Sequence, residues 1–186
     1  MKQLIFTAYL LFGFTLSLFA QIGTKSPSSL KFFNRTELSY NFGLNETFPG
    51  DKTNSFRIKT ILGYALPQVG LGLGLENSNF KSSISSGGSN FNTFAFSLNL
   101  HLLAKKFQSD GVNFFVKGSG GYAVRFLTGY NKGLNYEGGA GILVTTKKGS
   151  KYYFNGVYNY QEIDDFILAS GKLNIKSVGL GIGTWF

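Results

Sequence analysis

From Leu30 to the last residue, apolar side chains recur at every second position, and no stretch carries the i, i+3, i+4, i+7 spacing of an amphipathic helix. A period of two belongs to strands, whose successive side chains point to opposite faces. The chain therefore reads as all-β. In the first segment Thr36, Leu38, Tyr40, Phe42 and Leu44 share one face, and Arg35, Glu37, Ser39, Asn41 and Gly43 the other. The third is the cleanest, with Val69, Leu71, Leu73 and Leu75 alternating with Gly70, Gly72, Gly74 and Glu76. Further segments center on Phe56 to Leu66, Phe94 to Leu102, Phe114 to Val124, Leu134 to Val144, Tyr152 to Tyr160 and Val178 to Phe186. Connections at Asn45 to Asn54, Asn77 to Asn90, Phe126 to Lys132 and Ile163 to Lys172 alternate with Pro67-Gln68, Ala104 to Gly111 and Lys147 to Lys151. An even number of strands in this order describes an eight-stranded antiparallel up-and-down barrel, with Pro67-Gln68 and the other connections of its set on one rim.

Composition decides which face of that barrel meets solvent. A soluble lipocalin-like cup would point the apolar set inward and clothe itself in the polar set. Here charged residues are 15% of the chain, against about 25% in ordinary soluble proteins. The non-apolar faces are mostly Gly, Ser, Asn and Ala. They make a poor water-facing coat and a good filling for a narrow interior. The apolar faces are therefore expected to point outward into lipid, as a transmembrane β-barrel. Aromatics agree, falling at two heights: Phe32, Tyr64, Phe114, Tyr152 and Phe186 near one interface, Tyr40, Phe42, Phe56, Tyr122, Tyr136 and Tyr160 near the other.

The first residues have a different logic. Lys2 precedes an apolar run from Leu4 to Ala20, after which the composition turns polar, the pattern of a secretory leader. Cleavage after Ala20 is expected, with a cut after Ser17 or an uncleaved anchor as alternatives. The organisation is then 1–20 leader, 21–29 lead-in and 30–186 barrel, with both barrel termini in the periplasm. The absence of Cys removes disulfides, thiolate metal sites and cysteine nucleophiles.

The leader, the eight alternating segments and the final Val178-Gly-Leu-Gly-Ile-Gly-Thr-Trp-Phe186 together resemble the small bacterial outer-membrane barrels of the OmpA/OmpX/OmpW kind. In that superfamily a last strand ending in an aromatic residue is read by the barrel-assembly machinery. The resemblance implies that role for Leu180, Ile182 and Phe186, and an outer-membrane location. It rests on pattern without a family-specific motif, and implies little about activity.

The inward faces carry Arg35, Glu37, Arg57, Lys59, Glu76, Lys117, Arg125 and Glu137, candidates for an ion-pair network filling the lumen or gating a thin water path. His101, the only histidine, is expected inward near the periplasmic end, away from any nucleophile. Glu162, Asp164 and Asp165 form an acidic cluster in an outer loop without EF-hand spacing. The glycine runs lack the strand, spacing and helix that phosphate binding needs. Lys105, Lys106, Lys147, Lys148 and Lys151 gather on the periplasmic side, where basic residues meet anionic lipid headgroups. The formal charge of +9 is explained by this placement and not by nucleic acid. No cofactor or metal is expected. The reading is a non-catalytic barrel with a structural or surface-interaction role, partnered by outer-membrane lipids, the assembly machinery and an extracellular ligand at 77–90 and 163–172. A narrow channel for small or apolar solutes and a lipid hydrolase are the alternatives.

Overall fold

A computed structural model describes residues 30–83, 90–107, 110–127, 129–164 and 171–186. The expected leader and lead-in lie outside these. Ten strands follow in chain order: β1 Lys31–Gly43, β2 Glu46–Phe48, β3 Asp51–Ala65, β4 Val69–Ser82, β5 Phe91–Leu103, β6 Gly111–Ala123, β7 Tyr130–Asn131, β8 Gly133–Thr145, β9 Lys151–Asp164 and β10 Lys172–Trp185. The eight long strands pair antiparallel with their neighbours, and β1 pairs with both β3 and β10, so the sheet closes without an edge. The short β2 folds back on β3, and β7 pairs parallel to the first residues of β5. At the closure seam the last residue is tied in by a reciprocal pair, Phe186 N–H to the Asn34 carbonyl and Asn34 N–H to the Phe186 carbonyl, each 2.8 Å.

The alternation sorts as composition demands. Leu73 and Leu180 are each 71% exposed on the outer wall, among a belt including Leu38, Tyr40, Phe56, Leu98, Phe114, Phe154 and Ile182. The inward face holds almost all of the buried charged side chains. Several inward glycines are required by crowding: a Cβ on Gly183 would stand 2.1 Å from the Thr36 carbonyl oxygen and 2.5 Å from the Tyr153 hydroxyl.

Two expectations are corrected. The segment Asn77 to Ser82, expected as part of an outer loop, continues β4, pairing from Asn77↔Ile58 to Ser82↔Thr53. Ile163, Asp164 and Lys172 likewise belong to strands. Strands of 13 to 15 residues rise about 3.3 Å per residue. When tilted, they outreach an apolar band about 25 Å tall. Beyond the band the outward face meets water, as at Asn79 and Lys81, so composition there looks like loop while hydrogen bonding remains strand.

The second correction concerns the interior, which is less uniformly small and polar than expected. At the end holding both barrel termini, Phe33, Ile61, Ala65, Leu103, Phe107, Phe115, Leu143, Tyr153 and Trp185 form an apolar plug. Phe107 reaches it from the β5–β6 turn, held by its N–H on the Pro67 carbonyl at 2.6 Å. At the opposite end Phe80, Phe91, Ile163 and Ile175 form a second apolar layer, with the Phe80 and Phe91 rings stacked at 4.7 Å.

Candidate functional site

Between the two apolar layers lies a buried band of charge. β1 delivers Arg35 and Glu37, β3 Arg57 and Lys59, β4 Glu76, β6 Lys117 and β8 Glu137, all on inward positions and all buried. Glu37 is the central acceptor. It receives Arg35 Nη2 at 2.7 Å, Arg57 Nη2 at 3.1 Å, Lys117 Nζ at 2.7 Å, the Tyr153 hydroxyl at 3.1 Å and Asn155 Nδ2 at 2.9 Å. Arg57 is the central donor, reaching Glu137 at 2.5 Å and Glu76 at 3.6 Å as well as Glu37. Its remaining N–H groups go to Ser39 Oγ at 3.0 Å and Asn159 Oδ1 at 2.7 Å. Lys117 also bridges to Glu137 at 2.6 Å, while Lys59 donates to Ser119 Oγ at 2.9 Å and lies 3.7 Å from both Glu76 and Glu137.

Four cations thus share three carboxylates. A buried ion pair offsets its desolvation cost only when further hydrogen bonds satisfy the charged groups. Here Ser, Asn and Tyr side chains supply many of those bonds, whereas Arg35 Nε and Nη1 have no hydrogen-bond partner and lie against aromatic rings instead. Above the charges an uncharged layer continues the network, Asn159 Nδ2 donating to Asn41 Oδ1 at 2.8 Å and Asn41 Nδ2 to Ser55 Oγ at 3.1 Å. The space between these layers has a water-accessible volume of about 20 Å³, room for about one water. Arg35 closes the charged band against the plug: its guanidinium carbon lies 4.0 Å from the Tyr153 ring center, 5.1 Å from that of Phe115 and 5.3 Å from that of Trp185.

Arg125 does not join this network. It has inward parity, but β6 ends at Ala123 and Arg125 is exposed beyond it, because the upper part of β5 leaves β6 and pairs with β7 instead. His101 is 1% exposed within the plug, its ring 6.2 Å from Phe33 and 5.1 Å from Trp185, edge to face with both. Neither ring nitrogen has a hydrogen-bond partner, so no serine, threonine or carboxylate stands beside it as a catalytic triad would require.

At the rim opposite the barrel termini Lys172 Nζ contacts Glu162 Oε1 at 2.8 Å and Asp164 Oδ1 at 3.6 Å, and the Tyr122 hydroxyl donates to Asp164 Oδ2 at 3.0 Å. A protein ammonium therefore occupies the place between these two carboxylates; Asp165 lies outside the described residues, as do 84–89 and 165–170 of the β4–β5 and β9–β10 connections. Among the described residues no group of three or more potential ligands is arranged for a metal. Leu180 and Ile182 lie on the outward face of β10, 71% and 53% exposed, and Phe186, half-buried, follows its last residue. Lys105, Lys106, Lys147 and Lys148 are exposed on the two turns flanking β6 and β8, and Lys151 Nζ sits 4.7 Å from the Phe107 ring center beneath the plug.

The residues that sequence reasoning missed are the inward members of apolar doublets. Phe32-Phe33, Leu102-Leu103, Phe114-Phe115, Leu143-Val144, Tyr152-Tyr153 and Trp185-Phe186 each place one side chain on the wall and its neighbour in the plug. Such doublets at the same end of six strands are the available signal.

No protein-family model and no curated protein matches the sequence. Solved structures do match. Neisserial surface protein A superimposes with a TM-score of 0.59 at 12% identity, over 87% of this chain and 98% of that one. The N-terminal β-barrel domain of Pseudomonas aeruginosa OprF follows at a TM-score of 0.46 and 12% identity, over 83% and 97% of the two chains. The attachment invasion locus protein Ail of Yersinia pestis follows at 0.40 and 14%, over 83% and 98%. The first of these likenesses establishes the shared eight-stranded barrel fold.

Proposed function

We propose that this chain is an integral outer-membrane barrel, with both barrel termini in the periplasm, that passes no solute and acts without catalysis as a structural and surface-contact protein. The observation that carries the reading is an apolar wall around a lumen filled at three levels by buried side chains: the plug, the charged band and the second apolar layer. An apolar wall of this extent is at home in lipid and unsuited to water. An extracellular ligand would be met on the side of the β4–β5 and β9–β10 connections, and β10 is the element offered to the assembly machinery. The isolation of His101 from any nucleophile supports the non-catalytic reading.

The purified barrel in planar bilayers should give conductance indistinguishable from the bare membrane, and it should migrate as a compact species in unheated gel electrophoresis. A large steady conductance would overturn the closed lumen in favour of a channel; a chain that is a soluble monomer without detergent would overturn the membrane location. Deleting Phe186 removes both hydrogen bonds to Asn34 at the seam together with the terminal aromatic ring. The truncated chain should accumulate several-fold less folded protein in the membrane, measured by the same gel shift. Equal accumulation would show that β10 closes the barrel without its last residue.

A further inference from the structure

We propose that the outer wall over β5, β6, β8 and β9 is a binding site for one anionic phospholipid of the periplasmic leaflet, an inference resting on the membrane placement above. Its lower part is an open apolar groove of about 600 Å³ lined by Leu102, Ala104, Phe114, Val116, Ala140 and Ile142. Toward mid-membrane the wall loses its side chains. Gly118 stands opposite Gly138, and Ala140 opposite Gly156, across adjacent strand pairs. Leu100 beside Gly118 and Tyr158 beside Gly138 wall this shallow track.

These outward glycines differ from the inward ones. A Cβ on Gly138 or Gly156 would meet nothing within 4 Å, and one on Gly118 would find its nearest neighbour at 3.8 Å. Barrel packing therefore does not require them to be glycine. On a wall elsewhere covered by Leu, Ile, Val, Phe and Tyr, they leave a depression the width of two strand spacings, about 10 Å. That suits an acyl chain lying along the wall.

The foot of the same groove is basic. Lys105 turns outward, its Nζ donating to the Val112 carbonyl at 3.3 Å, and Val112 is itself on the outer wall next below Phe114. Lys106 neighbours it in the turn, and Lys147 and Lys148 project from the β8–β9 turn, brought alongside by the pairing of Thr145 with Gly111 and of Val144 with Val112. Asp110 is the one acidic residue among these turns. An apolar track that ends in a cluster of ammonium groups at membrane-interface depth is complementary to an anionic headgroup on an acyl chain. A second copy of the barrel would bring the same lysines against one another when packed face to face, and a zwitterionic lipid would gain less from them.

Native mass spectrometry of the detergent-solubilised barrel, titrated with phosphatidylglycerol and with phosphatidylcholine of identical chains, tests the site. One phosphatidylglycerol should be retained at about tenfold lower concentration than phosphatidylcholine. Lys105→Gln with Lys147→Gln should erase that preference, while Gly138→Leu with Gly156→Leu should weaken retention of both lipids several-fold. The unheated gel shift establishes that each variant is folded; should the glycine pair fail to fold, Ala140→Leu supplies the groove-filling arm. Equal retention of the two lipids, a preference untouched by the lysine substitutions, or a barrel dimer that excludes lipid would each overturn the site. Any of these with an intact gel shift leaves the membrane placement standing, whereas a lipid-indifferent chain that is soluble without detergent would remove both.

Discussion

Glu37→Gln should destabilise the barrel more than any other single change in the charged band, by about 3–5 kcal/mol, the usual consequence of removing one partner from a buried ion pair. The size follows from its connections. Glu37 accepts from Arg35, Arg57, Lys117, Tyr153 and Asn155. Glutamine keeps the volume but removes the charge, leaving four buried cations to two carboxylates and turning one acceptor oxygen into a donor that faces other donors. Adding Lys117→Met restores the excess to a single positive charge and should recover part of the loss, a coupling measurable as a double-mutant cycle. Urea titration of the barrel in lipid vesicles reads both results through Trp185, the only tryptophan, which is fully buried beside Arg35. An unchanged midpoint for Glu37→Gln would show that the charged band contributes nothing to holding the barrel closed.

Trp185→Ala should be comparably severe, at about 3–5 kcal/mol, the range for emptying a large aromatic from a core. Its ring packs against Phe33 at 5.5 Å, His101 at 5.1 Å, Phe107 at 5.2 Å, Phe115 at 6.0 Å and Tyr153 at 6.5 Å, so its loss unseats the whole plug. It also removes one of the rings beside the Arg35 guanidinium. Thermal loss of the compact gel species should occur at lower temperature in the variant, with Trp185→Phe falling between the two. Planar bilayers should show measurable leak for Trp185→Ala only if the charged band is loosened as well; a stable, plugged barrel with alanine at 185 would mean that the aromatic cluster is filler and not a support.

The wall of this protein was legible in its sequence, because each outward position is decided by one local rule. Leu71, Leu73 and Leu75 alternate with glycine, Phe96, Leu98 and Leu100 alternate with small polar residues, and a lack of surface charge assigns the apolar face to lipid. Those facts survive any change of neighbour, since they depend only on the two-residue period and on solvent. The inward parity of Arg35, Glu37, Arg57, Lys59, Glu76, Lys117 and Glu137 followed from the same rule, but its limits showed at Arg125, where parity continued past the end of the strand. The doublets defeated the rule for a different reason: when both Phe114 and Phe115 are apolar, alternation does not say that one faces lipid and the other a plug.

What the tertiary structure alone decided is which inward groups meet. Lys117 reaches Glu37 across 80 residues of sequence, and Asn155 reaches it across 118. Those contacts are set by the closure of β1 on β10 and by the stagger accumulated around the barrel, which fix the height of every inward side chain relative to all the others. The same stagger brings the lysines of two separate turns to the foot of one groove. Period two places a residue on a face; only the closed register places it at a height, and ion pairing within a lumen depends on both.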